Sequence, residues 1–386
     1  MQDPITVSSI ATISSLGFKR EDVWNSYSNE KHCLSEQEVL NKLIPVSKLP
    51  KSLDNSVLNL RASHPKYRNL DRTVLLGILV ARKAVEKAEW DASAEFGINM
   101  GSSRGATELF EKYLFQYRNS NRASVFTSPT TTLGNISSWI AHDLGSKGPN
   151  ISHSITCSSA LHALLNGVAW LRSGMADRFL IGGTEAPLTP FTIAQMQALK
   201  IYSPFAGAEY PCKALDLEKE VNSMVLGEGA GVACLELGIT KNTLAIVEGV
   251  GYATELLSHG TSLSANAKCI QDSMSMALKD IDASSIDCIV MHAPGTIKGD
   301  MAEYKAIEAI FGKDLPALTS NKWKVGHTFG ASGILSLDMA IMMIKHQHFF
   351  KVPYLNRTSE PARLNRILIN AVGFGGNAVS VVIKAI

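Results

Sequence analysis

Twice along this chain, short β-branched runs give way to longer amphipathic stretches in a similar order, and that repetition constrains the fold more than any other feature. Runs of period two read as strands and runs of period 3.6 as helices, so regular alternation of the two points to an α/β protein. "ITVSSIATISSLG" opens as a strand, and "LDRTVLLGILVARKAVEKAEWD" (70–91) spaces its apolar residues as a helix does. "FGINMGSS" follows as strand then turn, "PNISHSIT" as a strand, "SALHALLNGVAWLRSG" as a helix and "DRFLIGGTEA" as a strand. "GAGVACLEL" ends this half near residue 236. The second half restarts with a strand in "LAIVEGVGYATE" (244–255), then a helix in "NAKCIQDSMSMALKDID" and a strand running into a loop in "IDCIVMHAPGT". Helices in "DMAEYKAIEAIFG" and "GASGILSLDMAIMMIKHQ" precede a closing hairpin in "ILINAVGFGGNAVSVVIKAI". This order predicts a duplicated core with halves 1–236 and 237–386, which are expected to pack as one body because no flexible linker separates them. Residues 18–69 and 104–135 are less regular and are expected to cap or line the core.

With 386 residues, 45% of them hydrophobic, the chain is long enough for a large buried interior. A net charge of +2 gives no case for nucleic acid or an anionic membrane as the main partner. Asp3 and Pro4 stand where a secretory leader would carry basic residues, and no segment has the uncharged apolar length of a membrane span. The cysteines at 33, 157, 212, 234, 269 and 288 are scattered singly, without a CxxC pair. Neither a zinc site nor a disulfide framework follows from that spacing, and a reducing cytoplasm is the expected compartment.

The stretch "ISHSITCSSALHALLNGVAWLRSG" places Cys157 between a strand and a helix, followed by small residues that suit a sharp turn. At a helix N-terminus, free backbone N–H groups and the macrodipole favour an anion, which predicts a lowered thiol pKa. The same N–H groups can face an oxyanion on a bound acyl group. A lone cysteine is more often a small buried hydrophobe, and the other five are read that way. His292 lies at the C-terminal end of an apolar strand in "CIVMHAPGTIKGD", where sites form in α/β sheets. His327 lies in a loop of small residues, "TSNKWKVGHTFGASG", five residues after Lys322. The glycine-bearing "LGEGAG" and "GFGG" match no phosphate-loop pattern and read as tight turns with close backbone approach.

Together these pieces resemble the β-ketoacyl synthases, the condensing enzymes of the thiolase-like superfamily. "GPNISHSITCSSALHAL", "PCKALD", "VLGEGAGV", "HAPGTIKGDMAEYKAIEAIFG", "SNKWKVGHTFGASG" and "GFGGNA" follow that family's motif series from end to end. The resemblance implies a five-layered αβαβα fold of two similar halves, with Cys157 as the acyl-accepting nucleophile. It sets His292 and His327 on the family's two histidines, and Lys322 on its conserved lysine. Glu303 falls on an acidic residue supporting that lysine, and Phe374 on a phenylalanine that gates the acyl pocket and lends its N–H to the oxyanion hole. Thr296 and Asp300 are read as loop-shaping.

The implied reaction is decarboxylative condensation of a Cys-bound acyl chain with a malonyl group. Both substrates ride on the phosphopantetheine of an acyl carrier protein, so no resident cofactor or metal is implied. Implied partners are the carrier, docked on basic residues near the pocket mouth, and a second subunit. That subunit would make a homodimer, or a heterodimer with a related ketosynthase or chain-length factor. The second histidine and the absence of a cysteine in "GFGGNA" select the elongating type. Departures include "HAPGT", the short "GGNA" and the missing Arg-Asp-Gly in "LDLEKEVNSMVLGEG". These favour a specialised polyketide or aryl-polyene pathway over housekeeping fatty-acid synthesis. Two alternatives stay open: a non-catalytic chain-length-factor-like partner, and a decarboxylase or acyltransferase on the same fold.

Overall fold

The computed structural model describes residues 3–39, 41–90, 95–133, 135–256, 263–355 and 360–386. Its strands are β1 (Ile5–Ile13), β2 (Ser35–Val39), β3 (Lys42–Val46), β4 (Gly97–Gly101), β5 (Asn150–His153) and β6 (Arg178–Glu185). They continue as β7 (Gly229–Leu237), β8 (Ala245–Thr254), β9 (Cys288–Val290), β10 (Ala317–Thr319), β11 (Arg366–Gly373) and β12 (Asn377–Lys384). All but the β2–β3 hairpin join one ten-stranded sheet in the order β10-β9-β11-β12-β8-β1-β7-β6-β4-β5.

That order splits into two five-strand sets with one topology. From the seam outward, β1-β7-β6-β4-β5 pair antiparallel, antiparallel, parallel, parallel. The set β8-β12-β11-β9-β10 repeats the same sequence of pairings. Across the seam, β1 meets β8 only where Ile5–Val7 face Ala245–Val247.

Three apolar clusters correspond to three helical layers around the two five-strand sets. Between the sets lie the helices Ser159–Arg172 and Ser332–His346, whose Leu161, Leu164, Ile334 and Ile341 share one cluster with Ile181 and Ile369. The second helix is buried at every residue from Ser332 to Ile344, as an element enclosed on all sides must be. Outside the first set, Leu75 and Ile78 of the helix Arg72–Ala88 pack with Ile98 and Ile140. Outside the second, Ile270 and Met274 of the helix Lys268–Ala277 pack with Ile289 and Leu368. The result is the five-layered αβαβα arrangement expected from the resemblance.

Residues 18–69 and 104–135 are more regular than their patterning implies. The first holds the helices Arg20–Tyr27 and Lys51–Ser63 and the β2–β3 hairpin, and the second holds the helix Thr107–Ser120. These helices bury few residues (Val23 and Tyr27, Val57 and Leu60, and Thr107 alone), so little apolar periodicity marks them. Polar anchors hold the first segment instead. Arg20 pairs with the buried Asp338, which also accepts from Thr12 Oγ1 at 2.6 Å. Lys324 Nζ donates to the carbonyls of Ser26 and Asn29 at 2.5 Å each.

Candidate active site

Cys157 sits in a turn pinned by its two serine successors. Ser158 Oγ donates to the Ile155 carbonyl at 2.9 Å. Ser159 Oγ donates to the Thr156 carbonyl at 2.6 Å and accepts from the Ile155 amide at 2.9 Å. Ser158 is the N-cap residue of the helix Ser159–Arg172, which leaves Cys157 just outside it. The thiol is 6% exposed, and burial pushes it up to about 12. The charge of Glu185 pushes the same way, while Lys322 opposes it. The lowered thiol pKa expected from a helix N-terminus is therefore corrected. Desolvation outweighs the two influences that pull the thiol down, the Lys322 charge and a hydrogen bond from the Cys157 backbone, and the amides of Ser158 and Ser159 are already taken by Ile155 and Thr156 at 3.3 Å. Alkylation of Cys157 by iodoacetamide, followed by peptide mass spectrometry, should therefore rise about tenfold per pH unit from 7 to 9. A plateau below pH 8 would contradict this picture.

His292 follows β9 directly, and the Glu303 carboxylate fixes its backbone, accepting from the amides of His292 at 2.9 Å and Ala293 at 2.8 Å. Asn370 Nδ2 adds a third donor to Glu303 at 3.2 Å. Burial lifts Glu303 to about 7 against the pull of those donors. His327 is held by its amide, 2.6 Å from the Val225 carbonyl, and by its carbonyl, which accepts from Gly227 at 3.0 Å. Here "LGEGAG" shows its use. A Cβ on Gly227 would stand within reach of the Val325 carbonyl, and one on Gly326 (φ +66°) would stand 2.8 Å from the Val225 carbonyl. Side chains at either position would wedge the His327 loop away.

The two imidazoles lie 5.1 Å apart, nearly perpendicular at 87°. Burial and the Lys322 charge push His327 down to about 3, and burial, with His327 and Lys322 close by, pushes His292 well down. Both rings are neutral at neutral pH. Nδ1 of His327 is 3.2 Å from Ser332 Oγ, whereas Nδ1 of His292 is buried without a hydrogen-bond partner among the described residues. Lys322 is itself buried, donates to Asn321 Oδ1 at 3.2 Å and is pushed down to about 8, with Glu303 and Cys157 opposing that shift.

Cys157, His292, His327 and Phe374 all line one cavity of about 490 Å³. Met196, Ile201, Met224, Phe329 and Val372 give it apolar walls, and the exposed Lys200 and Lys298 stand among its lining residues. Lys322 and Glu303 are not on its surface; they act on the lining groups from behind. Among the described residues, no group of His, Cys, Asp or Glu is arranged to hold a metal ion. No helix among them is long and apolar enough to cross a membrane.

Three further residues shape this site and were not singled out from the sequence. The Glu185 carboxylate accepts from the amides of Ser103, Arg104 and Gly330 at 2.7, 3.1 and 3.0 Å, tying the first half to the wall residue Phe329's neighbour. Asn222 accepts from the Ile297 amide and donates to the Lys200 carbonyl, 2.9 Å each, bridging two sides of the mouth. Lys219 pairs with Asp300 at 2.7 Å, both side chains buried. Asp300 also accepts from the amides of Leu215, Gly295 and Thr296, at 2.9, 3.0 and 3.2 Å, which makes it the loop-shaping residue expected. Lys219 thus supplies a cation in the segment where Arg-Asp-Gly is missing. Its visible signal was one lysine amid "LEKE". Lys219→Met strands a buried carboxylate and should lower unfolding free energy by about 3–5 kcal/mol in a denaturant titration. An unshifted midpoint would show that the backbone amides suffice.

Residues 2–238 match the family model for the Beta-ketoacyl synthase, N-terminal domain, and residues 244–356 match that for the Beta-ketoacyl synthase, C-terminal domain. Among curated proteins, the chain is 27% identical over 344 residues to 3-oxoacyl-[acyl-carrier-protein] synthase 2 of Staphylococcus aureus, covering 82% of this chain and 85% of that one. Among solved structures, it resembles a beta-ketoacyl synthase from Burkholderia phymatum with a TM-score of 0.87 at 20% identity, across 100% of both chains. It resembles the ishigamide ketosynthase/chain length factor with a TM-score of 0.86 at 19% identity, again across 100% of both. The structural likenesses establish the fold as that of the ketosynthases, and the two domain matches establish the lineage: this chain belongs to the β-ketoacyl synthase family.

Proposed function

We propose that this chain is a β-ketoacyl-[acyl-carrier-protein] synthase that extends a Cys157-bound acyl chain by decarboxylative condensation with malonyl carrier protein. The observation that carries this reading is the meeting of Cys157, His292 and His327 at one cavity, from segments far apart in the chain. We divide the chain into halves 1–236 and 237–386, the first supplying the thiol and the second both imidazoles.

In the first step, Cys157 sulfur attacks the thioester carbonyl of an acyl carrier, and its proton leaves with the departing pantetheine thiol. In the second, a malonyl thioester sits with its carbonyl oxygen against N–H groups of the neutral His292 and His327. Its carboxylate leaves as CO2, and the electron pair of the broken bond becomes an enolate that those donors stabilise. The enolate carbon then attacks the acyl-Cys157 carbonyl. The tetrahedral oxyanion rests on the amides of Cys157 and Phe374, and its collapse expels the Cys157 thiolate, which takes a proton from solvent. Ser332 Oγ donating to His327 Nδ1 would leave the ring proton on Nε2 for this role. Lys322 and Glu303 set the charge around the pair. No resident cofactor is needed, because the substrates arrive on phosphopantetheine, and Lys200 and Lys298 suit an acidic carrier at the mouth. A paired subunit, identical or chain-length-factor-like, and a cytoplasmic setting complete the reading.

Incubation with acyl carrier protein followed by mass spectrometry tests it. An acyl adduct on Cys157, and a 3-oxoacyl product once malonyl carrier protein is added, support it. A specialised polyketide role predicts stronger turnover with unsaturated or aryl-primed chains than with saturated ones. An adduct without product leaves an acyltransferase, CO2 release without either leaves a decarboxylase, and none of these leaves a scaffold subunit.

A further inference from the structure

The nucleophile turn carries a backbone conformation that its sequence should avoid. Thr156, immediately before the thiol, has φ +47°, in the left-handed region that β-branched residues rarely enter. Such strain persists where surrounding contacts over-determine it, and it concentrates at functional sites. The seryl hydroxyls of Ser158 and Ser159 hold the chain on one side of Thr156. On the other side its own hydroxyl donates to the Phe374 carbonyl at 3.3 Å.

That contact joins two segments more than two hundred residues apart, and it falls where there is no spare room. A Cβ on Gly373 would collide with Thr156 Oγ1, and would stand 2.9 Å from the Ile155 carbonyl and 3.1 Å from the Cys157 amide. The β11–β12 turn therefore lies flat on the nucleophile turn. Within the turn the Gly376 amide reaches the Gly373 carbonyl at 3.2 Å, and at its far end β8 holds it through the Glu255 amide on the Gly376 carbonyl and Thr254 Oγ1 on Asn377 Oδ1, 3.0 Å each, which leaves the Thr156 bond as the tie at Phe374 itself. Gly375 and Gly376, at φ +91° and +70°, give the turn backbone freedom beyond what other residues allow. Phe374, 37% exposed, projects at the cavity from this turn.

We propose that the Thr156 hydroxyl is a latch, a positioning residue that holds the Phe374 turn closed over Cys157 by binding the Phe374 carbonyl. Anchoring that carbonyl fixes the ring on one side of the Cα and the Phe374 amide on the other. A single neutral bond at a partly exposed position is weak enough to break in each catalytic cycle. The turn can then open when an acyl chain or pantetheine arm enters and close once it is seated. The latch rests on the reading of Cys157 as the acyl-accepting thiol with Phe374 beside it.

Two variants separate the hydroxyl from the shape of the side chain. Thr156→Val keeps the branching and volume and removes the hydroxyl; Thr156→Ser keeps the hydroxyl. In the purified full chain, Cys157 labelling is followed with iodoacetamide as a small probe and fluorescein maleimide as a bulky one. Thr156→Val should raise the bulky-to-small rate ratio about threefold or more, and Thr156→Ser should leave it within about twofold of the unmodified protein. Condensation in Thr156→Val should lose about tenfold in kcat with KM little changed, restored in Thr156→Ser. An unchanged labelling ratio in Thr156→Val overturns the latch, as does an equal rise in both variants, which would assign the effect to packing. If the unmodified protein forms neither acyl adduct nor product, the proposed activity fails, and the labelling ratio still decides the latch.

Discussion

Cys157→Ala should yield no acyl adduct with any carrier-bound donor and should lower condensation by at least about 10³-fold. The expectation follows from chemistry that no neighbour can replace. The other cysteines at 33, 212, 234, 269 and 288 are not on the cavity surface. The variant should nonetheless fold, because Cys157 contributes one small side chain to a wall whose turn is fixed by Ser158 and Ser159. Carrier-protein mass spectrometry and product analysis provide the measurement, with thermal unfolding as the control. Appreciable condensation by a folded Cys157→Ala protein would remove the covalent intermediate from the reading.

His327→Ala and His292→Ala should each cost about 10²–10³ in condensation, the usual effect of losing one donor to a developing oxyanion. The informative part is what should survive. In the proposed reaction acyl transfer to Cys157 needs only the thiol and the amides beside it, so loading should fall far less than condensation in either variant. The backbone at His292 is held by Glu303 through amides that alanine retains, so that loop should keep its place. Loading lost in parallel with condensation would instead assign the imidazoles to activating the thiol. With both rings pushed well below their ordinary range by burial, the proposed reaction would use them as neutral donors, not as acids awaiting a change of pH.

Much of this architecture was legible in the sequence, for a physical reason. The central helix Ser332–His346 and strands such as β7 bury almost every side chain, so their apolar runs are long and unambiguous. The helices Lys51–Ser63 and Thr107–Ser120 touch the core at two residues and one, and their periodicity fades accordingly. At the site, motif residues such as Cys157 and the histidines were visible because rare side chains stand among small ones. The roles of Glu185, Lys219 and Asn222 are not legible from their local sequence, because they depend on partners 82, 81 and 75 residues away. The thiol's electrostatics are hidden from the sequence for the same reason. A helix terminus is readable along the chain, but burial by Phe329, Met196 and the opposite half is a property of the folded assembly.

The place of β11 and β12 in the sheet has a consequence for folding kinetics. They follow the other described strands in sequence, yet they lie in the interior of the second set, between β9 and β8. Among the described strands, β9 and β10 reach the rest of the sheet through them alone. Closing the second set therefore waits on pairings between distant segments, the kind of contact that slows folding.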